Sequence, residues 1–98
     1  MATTINIQYQ DLLPDTQTAV FTCSAAGGSF VRLSALNIGA SGTTLTIWQA
    51  GTTDAHLVVK ELPLAVKEKA LIQDLILENG QVLYAQGGDD VFLAVTVE

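Results

Sequence analysis

Residues 81–97, QVLYAQGGDDVFLAVTV, are typical of two β-strands joined by a glycine-rich turn. In residues 91–97 every second position is valine or leucine, and Phe92, Ala94 and Thr96 lie between them. This period-two alternation is the pattern of a strand with one buried face. The intervening Gly-Gly-Asp-Asp is typical of a hairpin turn. Residues 81–86 and 91–97 are therefore predicted to be the last two strands, with the valines and Leu93 facing a core.

The same alternation recurs through the rest of the chain. Strands are predicted at residues 5–10, 19–24, 30–38, 43–50 and 56–60, and shorter apolar pieces at residues 64–66 and 70–72. Residues 75–77, followed by Glu78-Asn79-Gly80, fit either one helical turn or the approach to a tight hairpin. About eight short antiparallel strands at roughly ten-residue spacing indicate an all-β fold, a single β-sandwich or jelly-roll domain over residues 1–98.

Some positions carry more specific expectations. Residues 11–17 contain Pro14 and are predicted to be a loop. Gly27-Gly28 supplies the positive φ that a tight hairpin needs. The shift of apolar residues from odd positions to Leu36 and Ile38 predicts a bulge or bend. Pro63 places its segment at a sheet edge or corner, since proline lacks the donor that a central strand needs.

Charge and cysteine content exclude several classes of function. The formal net charge is −6, and the four cations are not clustered, so binding to nucleic acid is not expected. The longest apolar run, residues 91–95, is far shorter than the roughly 18 residues of a membrane span. Cys23 is the single cysteine, which rules out an internal disulfide and favours a reducing cytoplasm. It is either a small buried hydrophobe, the interpretation we favour, or a nucleophile or redox sensor.

The residue types that catalysis requires are scarce. His56 is the only histidine, so neither a multi-histidine metal site nor a nucleophile–base pair is predicted. No phosphate-binding glycine motif occurs. The cluster at residues 87–90 offers oxygen ligands for weak calcium binding, although a plain turn is the simpler interpretation. The sequence therefore predicts a non-enzyme without a cofactor or metal.

Two aromatic residues are predicted to face outward. Strand parity sets Trp48 opposite the core positions Leu45 and Ile47, and sets Phe92 among Ala94 and Thr96, unless bulges return them to the core. Both are candidate contact residues. Tyr9 and Tyr84 are further candidates, because a tyrosine can bury its ring while its hydroxyl reaches water.

The N-terminal stretch is a candidate assembly element. Residues 3–10, which include Ile5 and Ile7, are β-branched and almost uncharged, without a lysine to guard an edge. Residues 1–10 are therefore hypothesised to form an arm that adds a strand to a neighbouring subunit. Thr, Gln, Ser and Asn together make up 25 of the 98 residues, which suits neutral contact surfaces.

From Leu33 onward, over about two-thirds of the chain, the sequence resembles a family of small tailed-bacteriophage virion accessory proteins. The matching features are LSALN at residues 33–37 before a glycine-containing turn, TLTIW at 44–48, LIQDLILENGQVLYAQ at 71–86, and the final VTVE at 95–98. Gln81 departs from the aspartate or similar polar residue that often follows the glycine in that family.

The resemblance implies a capsid decoration (cement) protein that binds the assembled head lattice and stabilises it. Its partner would be the major capsid protein or another virion structural protein, and its location the virion, after synthesis in the bacterial cytoplasm. A homo-oligomer, dimer or trimer, would raise the effective concentration at neighbouring sites. Two alternatives remain open: a tail, neck, baseplate or fibre-anchoring accessory protein, and a carbohydrate-binding module that uses Trp48 as a stacking platform.

Overall fold

The computed structural model describes residues 6–97, except for the side chains of residues 6, 7, 73 and 74. A short 3₁₀ turn, Asp54–His56, precedes β5. The strands are β1 (Asn6–Leu12), β2 (Thr18–Thr22), β3 (Ser29–Asn37), β4 (Thr43–Gln49), β5 (Leu57–Leu64), β6 (Lys69–Leu77), β7 (Val82–Gly87) and β8 (Val91–Val97).

The strands form two four-stranded antiparallel sheets. The first sheet has the order β1-β8-β3-β6, and the second sheet has the order β2-β7-β4-β5. Eight strands in this order, with the chain passing from one sheet to the other at every connection except β4–β5, make a jelly roll. The predicted all-β sandwich is confirmed.

The glycine-rich turns connect sheets rather than hairpin strands, contrary to the prediction. β7 pairs with β2 and β4, whereas β8 pairs with β1 and β3, so residues 87–90 lead from the second sheet to the first. The turns at residues 25–28 and 78–81 cross between the sheets in the same way. Gly28 does adopt the expected positive φ, 86°. The helical-turn alternative at residues 75–77 is wrong, because β6 continues to Leu77.

The core lies between the sheets and follows the predicted alternation. In β8 the valines and Leu93 are all buried, and so are Leu45 and Ile47 in β4. Cys23 is buried at 1% exposure, which confirms its interpretation as a small core residue. The buried hydrophobic residues are Leu13, Val20, Cys23, Val31, Leu33, Ala35, Leu45, Ile47, Leu64, Leu75, Leu77, Leu83, Ala85, Val91, Leu93, Val95 and Val97.

Asn37 occupies a core position, whereas the sequence predicted that a bulge would turn its neighbours Leu36 and Ile38 toward the core. The alternation in β3 continues without a break, so Asn37 is fully buried, Leu36 is half-buried on the outer face, and Ile38 is exposed. The Asn37 side-chain amide donates hydrogen bonds to the carbonyls of Ser41 (2.8 Å) and Leu64 (3.1 Å). Its Oδ1 accepts one from the Gly39 N–H (2.9 Å). These hydrogen bonds compensate for the loss of water around the amide, so Asn37 can be buried. The strand therefore continues without the predicted bulge.

The edge strands explain two further positions. β5 is an edge of the second sheet and contains Pro63 opposite Thr44, which confirms the predicted edge. β1 is an edge of the first sheet and continues through Asp11 and Leu12, which the sequence assigned to a loop. Both residues extend the ladder with β8, where Leu12 lies opposite Phe92, and this pairing outweighs the local loop composition.

Candidate docking face and pocket

The outer face of the first sheet carries large apolar side chains at positions that alternate with the core residues. We call this surface the apolar face. Exposure exceeds one half for Phe30 (57%), Leu71 (58%) and Ile76 (54%). Its apolar residues are Leu12, Phe30, Leu36, Leu71, Ile76 and Phe92.

Strand register groups these side chains across the sheet. Phe92 in the centre has Leu12 on one side and Leu36 on the other, so the three form a row across β1, β8 and β3. At the far end of β3, Phe30 lies opposite Ile76. Two apolar groups therefore lie at opposite ends of one continuous sheet surface.

Two basic residues of the first sheet lie at outward positions. Arg32 lies on β3, and Lys69 is paired with Leu36 at the edge of the face. A partner surface that complements this face would be apolar, with a carboxylate near the exposed Lys69.

The outer face of the second sheet has a different character. Trp48 is half-buried on β4, where it is paired with Tyr84 on β7 and Leu57 on β5. Thr44 and Thr46 lie on the same side of β4. Trp48 is absent from the buried core cluster, as strand parity predicts. The two aromatics selected from the sequence on this sheet are therefore cross-strand neighbours, and Phe92 lies on the opposite side of the molecule.

A β-bulge shapes the second sheet beside Trp48. Leu45 pairs with Leu62 and Ile47 with Val59, so Thr46 alone faces both Lys60 and Glu61. Glu61 has a φ of 48°, in the left-handed region that side chains seldom occupy. The Glu61 backbone N–H donates to Thr46 Oγ1 (3.0 Å), which holds the bulge in place. Bulges re-aim side chains in this way, and here two adjacent charged residues come to line one cavity.

That cavity has a volume of about 280 Å³ and lies against the outer face of the second sheet. Trp48 and Leu57 form an apolar wall, and the other lining residues are polar or glycine. The polar and glycine residues that line it are Asp15, Thr44, Thr46, Asp54, Lys60, Glu61, Gln86, Gly87 and Gly88. We call this cavity the Trp48 pocket.

Tyr9, one of the candidate contact residues, lies on the edge strand β1. Its ring packs against the core from the edge strand, opposite Val95, and its hydroxyl donates to the Leu12 carbonyl (3.2 Å). Burial, with a smaller contribution from the negative charge of Asp11, raises the pKa of Tyr9 above its usual value. The ring is thus partly buried and the hydroxyl wet, as the sequence allowed.

The structure also bears on the N-terminal arm. Residues 6–12 pair with β8 of their own chain, so this part of the proposed arm belongs to the molecule's own sheet. Ile7 is opposite Thr96 in that ladder. Ile5 and the rest of residues 1–5 lie outside the described residues. β1 leaves one edge of the first sheet open, so the addition of a strand to a neighbouring subunit stays a prediction.

Sequence reasoning missed most of the apolar face. Phe30 could have been found, because it precedes Val31 in a strand whose odd positions are in the core. Leu71 and Ile76 were hidden, since residues 69–77 were not recognised as one strand with a register shift against β3.

His56 Nδ1 and the Thr53 hydroxyl share a hydrogen bond (2.9 Å), and the side chains that the structure describes within residues 6–97 include no group of three or more metal-ligating residues. Within that range no helix is long and apolar enough to cross a membrane. No family model, curated protein or solved structure matches the chain.

Proposed function

We propose that this protein is a structural virion protein of a tailed bacteriophage, a decoration protein that binds the assembled head lattice and stabilises it. The observation that carries the proposal is the apolar face, which exposes Phe30, Leu71 and Ile76 on one side of a rigid sheet. The sequence resemblance from residue 33 onward supports the same assignment. The protein would act without a cofactor, and not as an enzyme.

The energetics favour a partner on this face. Exposed apolar area costs about 25 cal/mol per Å² relative to burial, so a surface with three half-exposed large side chains gains stability when it is covered. Lys69, which is exposed at the edge of the apolar face, would favour a shell surface with carboxylates, such as one on the major capsid protein or another virion structural protein. Aromatic anchors such as Phe30 contribute most when they are fully desolvated.

Stabilisation of the shell would follow from mass action. A protein that binds the assembled lattice and not the free subunits lowers the free energy of the lattice at every occupied site. If the protein is a dimer or trimer, one bound subunit raises the effective concentration of the next. Many weak sites then reinforce the whole shell.

The test uses heads assembled without the protein. Addition of the wild-type protein should raise the temperature at which these heads release DNA, and Phe30→Ser should lose most of this effect. Val66→Ser is the matched control, because Val66 is an exposed apolar residue (45%) in the β5–β6 turn and does not belong to the apolar face. Heads that gain no heat resistance from the wild-type protein would rule the proposal out.

Copy number in purified particles is the second readout. On the order of hundreds of copies per particle supports a head-lattice protein. About six or twelve copies would instead place the protein at the tail, neck or baseplate, or as a fibre anchor, and would overturn the head assignment.

A further inference from the structure

The Trp48 pocket takes no part in the proposed docking to the virion. It lies on the second sheet, while the apolar face lies on the first. It combines an aromatic wall with hydroxyl, amide, ammonium and carboxylate groups. Small-molecule sites are concave and hold a few placed polar groups of this kind beside apolar surface.

We propose that the Trp48 pocket binds one ring of a neutral carbohydrate. A sugar ring has an apolar face of C–H groups, which would lie against Trp48, and a rim of hydroxyls that both donate and accept hydrogen bonds. Asp54 and Glu61 supply acceptors, and Lys60 supplies a donor. Hydrogen-bond donors and acceptors placed around one aromatic side chain therefore match a polyhydroxylated ring.

The charges of the pocket disfavour the simplest ionic ligands. An anion would meet the carboxylates of Asp15, Asp54 and Glu61. A small cation would be attracted by those carboxylates and by the Trp48 ring, but would meet the Lys60 ammonium that the bulge places beside Glu61. A neutral polar ligand can hydrogen-bond to both the basic and the acidic side chains of the pocket. An organic cation is the main competing ligand, so the experiment has to distinguish it from a carbohydrate.

The rim of the pocket is tied together by hydrogen bonds within the protein. Gln86 Nε2 donates to the Asp15 carbonyl (3.0 Å), and the Gly88 N–H donates to the Thr44 carbonyl (2.8 Å). The Thr46–Glu61 bond fixes the opposite side. Binding therefore needs little ordering of the rim, which reduces the entropic cost of binding.

The size of the cavity limits the ligand. A volume of about 280 Å³ is just below the range of about 300–1,000 Å³ that ligand pockets usually span. One ring fits this space better than an extended chain, although further rings can continue into solvent. With so few atoms in contact, we expect Kd values of roughly 1–10 mM for a monosaccharide.

Intrinsic fluorescence tests the proposal directly, because Trp48 is the only tryptophan in the chain. The purified wild-type protein is titrated with methyl glycosides of glucose, galactose, mannose and N-acetylglucosamine. Free N-acetyltryptophanamide is titrated alongside to correct for direct quenching. We expect at least one glycoside to give a saturable change in Trp48 emission.

Two variants show whether the response comes from the pocket. Glu61→Gln and Asp54→Asn each remove a charged acceptor and should weaken binding about tenfold or more. Glu78→Gln is the matched control, since Glu78 is exposed in the β6–β7 turn and does not line the pocket. Glu78→Gln should bind as the wild type does, and all three variants should show wild-type thermal unfolding before they are compared.

Three results would overturn the proposal. The first is silence with every glycoside at about 100 mM, well above the expected Kd. The second is a saturable response to tetramethylammonium chloride and none to the glycosides, which would make this a cation site. The third is a glycoside response that Glu61→Gln and Asp54→Asn leave unchanged. Phe30→Ser should retain glycoside binding, so failure of the docking function and failure of this site are separable.

Discussion

The outer faces of the two sheets follow the same strand alternation and carry opposite chemistry. On the first sheet the outward positions display Phe30, Leu71 and Ile76, each more than half exposed. On the second sheet the outward positions around Trp48 are threonine, glutamine and charged residues that line a pocket. One face is suited to a broad protein contact and the other to a small polar ligand.

Strand register accounts for part of this difference. β3 and β8, the central pair of the first sheet, are aligned over seven consecutive pairs without a shift, so their outward side chains lie on one even surface. β4 and β5 shift register on both sides of Ile47, and the bulge turns Lys60 and Glu61 toward the same cavity. The register shifts of the first sheet lie at its edge strands β1 and β6 and leave its central ladder unbroken, whereas the β4–β5 bulge places charged residues around a cavity.

If the outer faces serve binding, the contacts that hold the two sheets together should lie between the sheets, and the buried Asn37 is one of them. Its amide joins β3 of the first sheet to the Leu64 carbonyl at the end of β5 in the second. Asn37→Ala removes three hydrogen bonds, so we expect a loss of about 3 kcal/mol in the free energy of unfolding, measured by urea denaturation. Asn79→Ala, at an exposed turn position, should change it by less than about 0.5 kcal/mol. Equal effects of the two variants would contradict the role given to Asn37.

Phe92 and Asn37 show how much of the fold could be predicted from the sequence. Alternation in residues 29–37 and 91–97 was enough to predict the strands, their buried faces and the outward direction of Phe92. The alternation was not enough to predict that Asn37 would be buried, because the hydrogen-bond partners of its amide lie at Ser41 and Leu64. Hydrogen bonds to residues distant in sequence leave no local pattern.

Strand pairing was the larger gap. A turn sequence such as Gly87-Gly88 indicates that the chain reverses, but it does not state which strands then pair. In this jelly roll only β4 and β5 pair with their neighbour in sequence among the described strands. The Trp48 pocket depends on this long-range arrangement, since it brings Asp15, Lys60 and Gln86 together. Sequence reasoning therefore identified Trp48 but not the groups around it.

A matched pair of threonines sharpens the comparison of the two faces. Thr46 is buried and its hydroxyl accepts the Glu61 N–H, whereas the exposed bond from the Thr96 hydroxyl to the Arg32 carbonyl is longer, 3.4 Å. Thr46→Val leaves the Glu61 N–H without that acceptor, so we expect a loss of about 1–2 kcal/mol in unfolding free energy. Thr96→Val should cost less than about 0.5 kcal/mol. Similar losses at the two sites would mean that the hydroxyl does not hold the bulge.

The smallest expected effect concerns Tyr9, on the inner side of the edge strand β1. Since burial and Asp11 raise its pKa, the folded protein holds the phenol proton to higher pH than the unfolded chain does. The resulting stability is fully present below the unfolded pKa of about 10 and is lost as pH rises through the folded value. Tyr9→Phe cannot ionise, so its unfolding free energy should fall less than that of the wild type between about pH 8 and pH 11.

Asp11→Asn separates the two causes of that pKa shift. Burial is the larger cause, so removal of the Asp11 charge should reduce the alkaline loss of stability only in part. An absorbance titration of the phenol in the wild type and in Tyr9→Phe identifies the titration of Tyr9 itself. If Tyr9→Phe loses stability as steeply as the wild type, the ring does not face the core, and the inner side assigned to it in the first sheet is wrong.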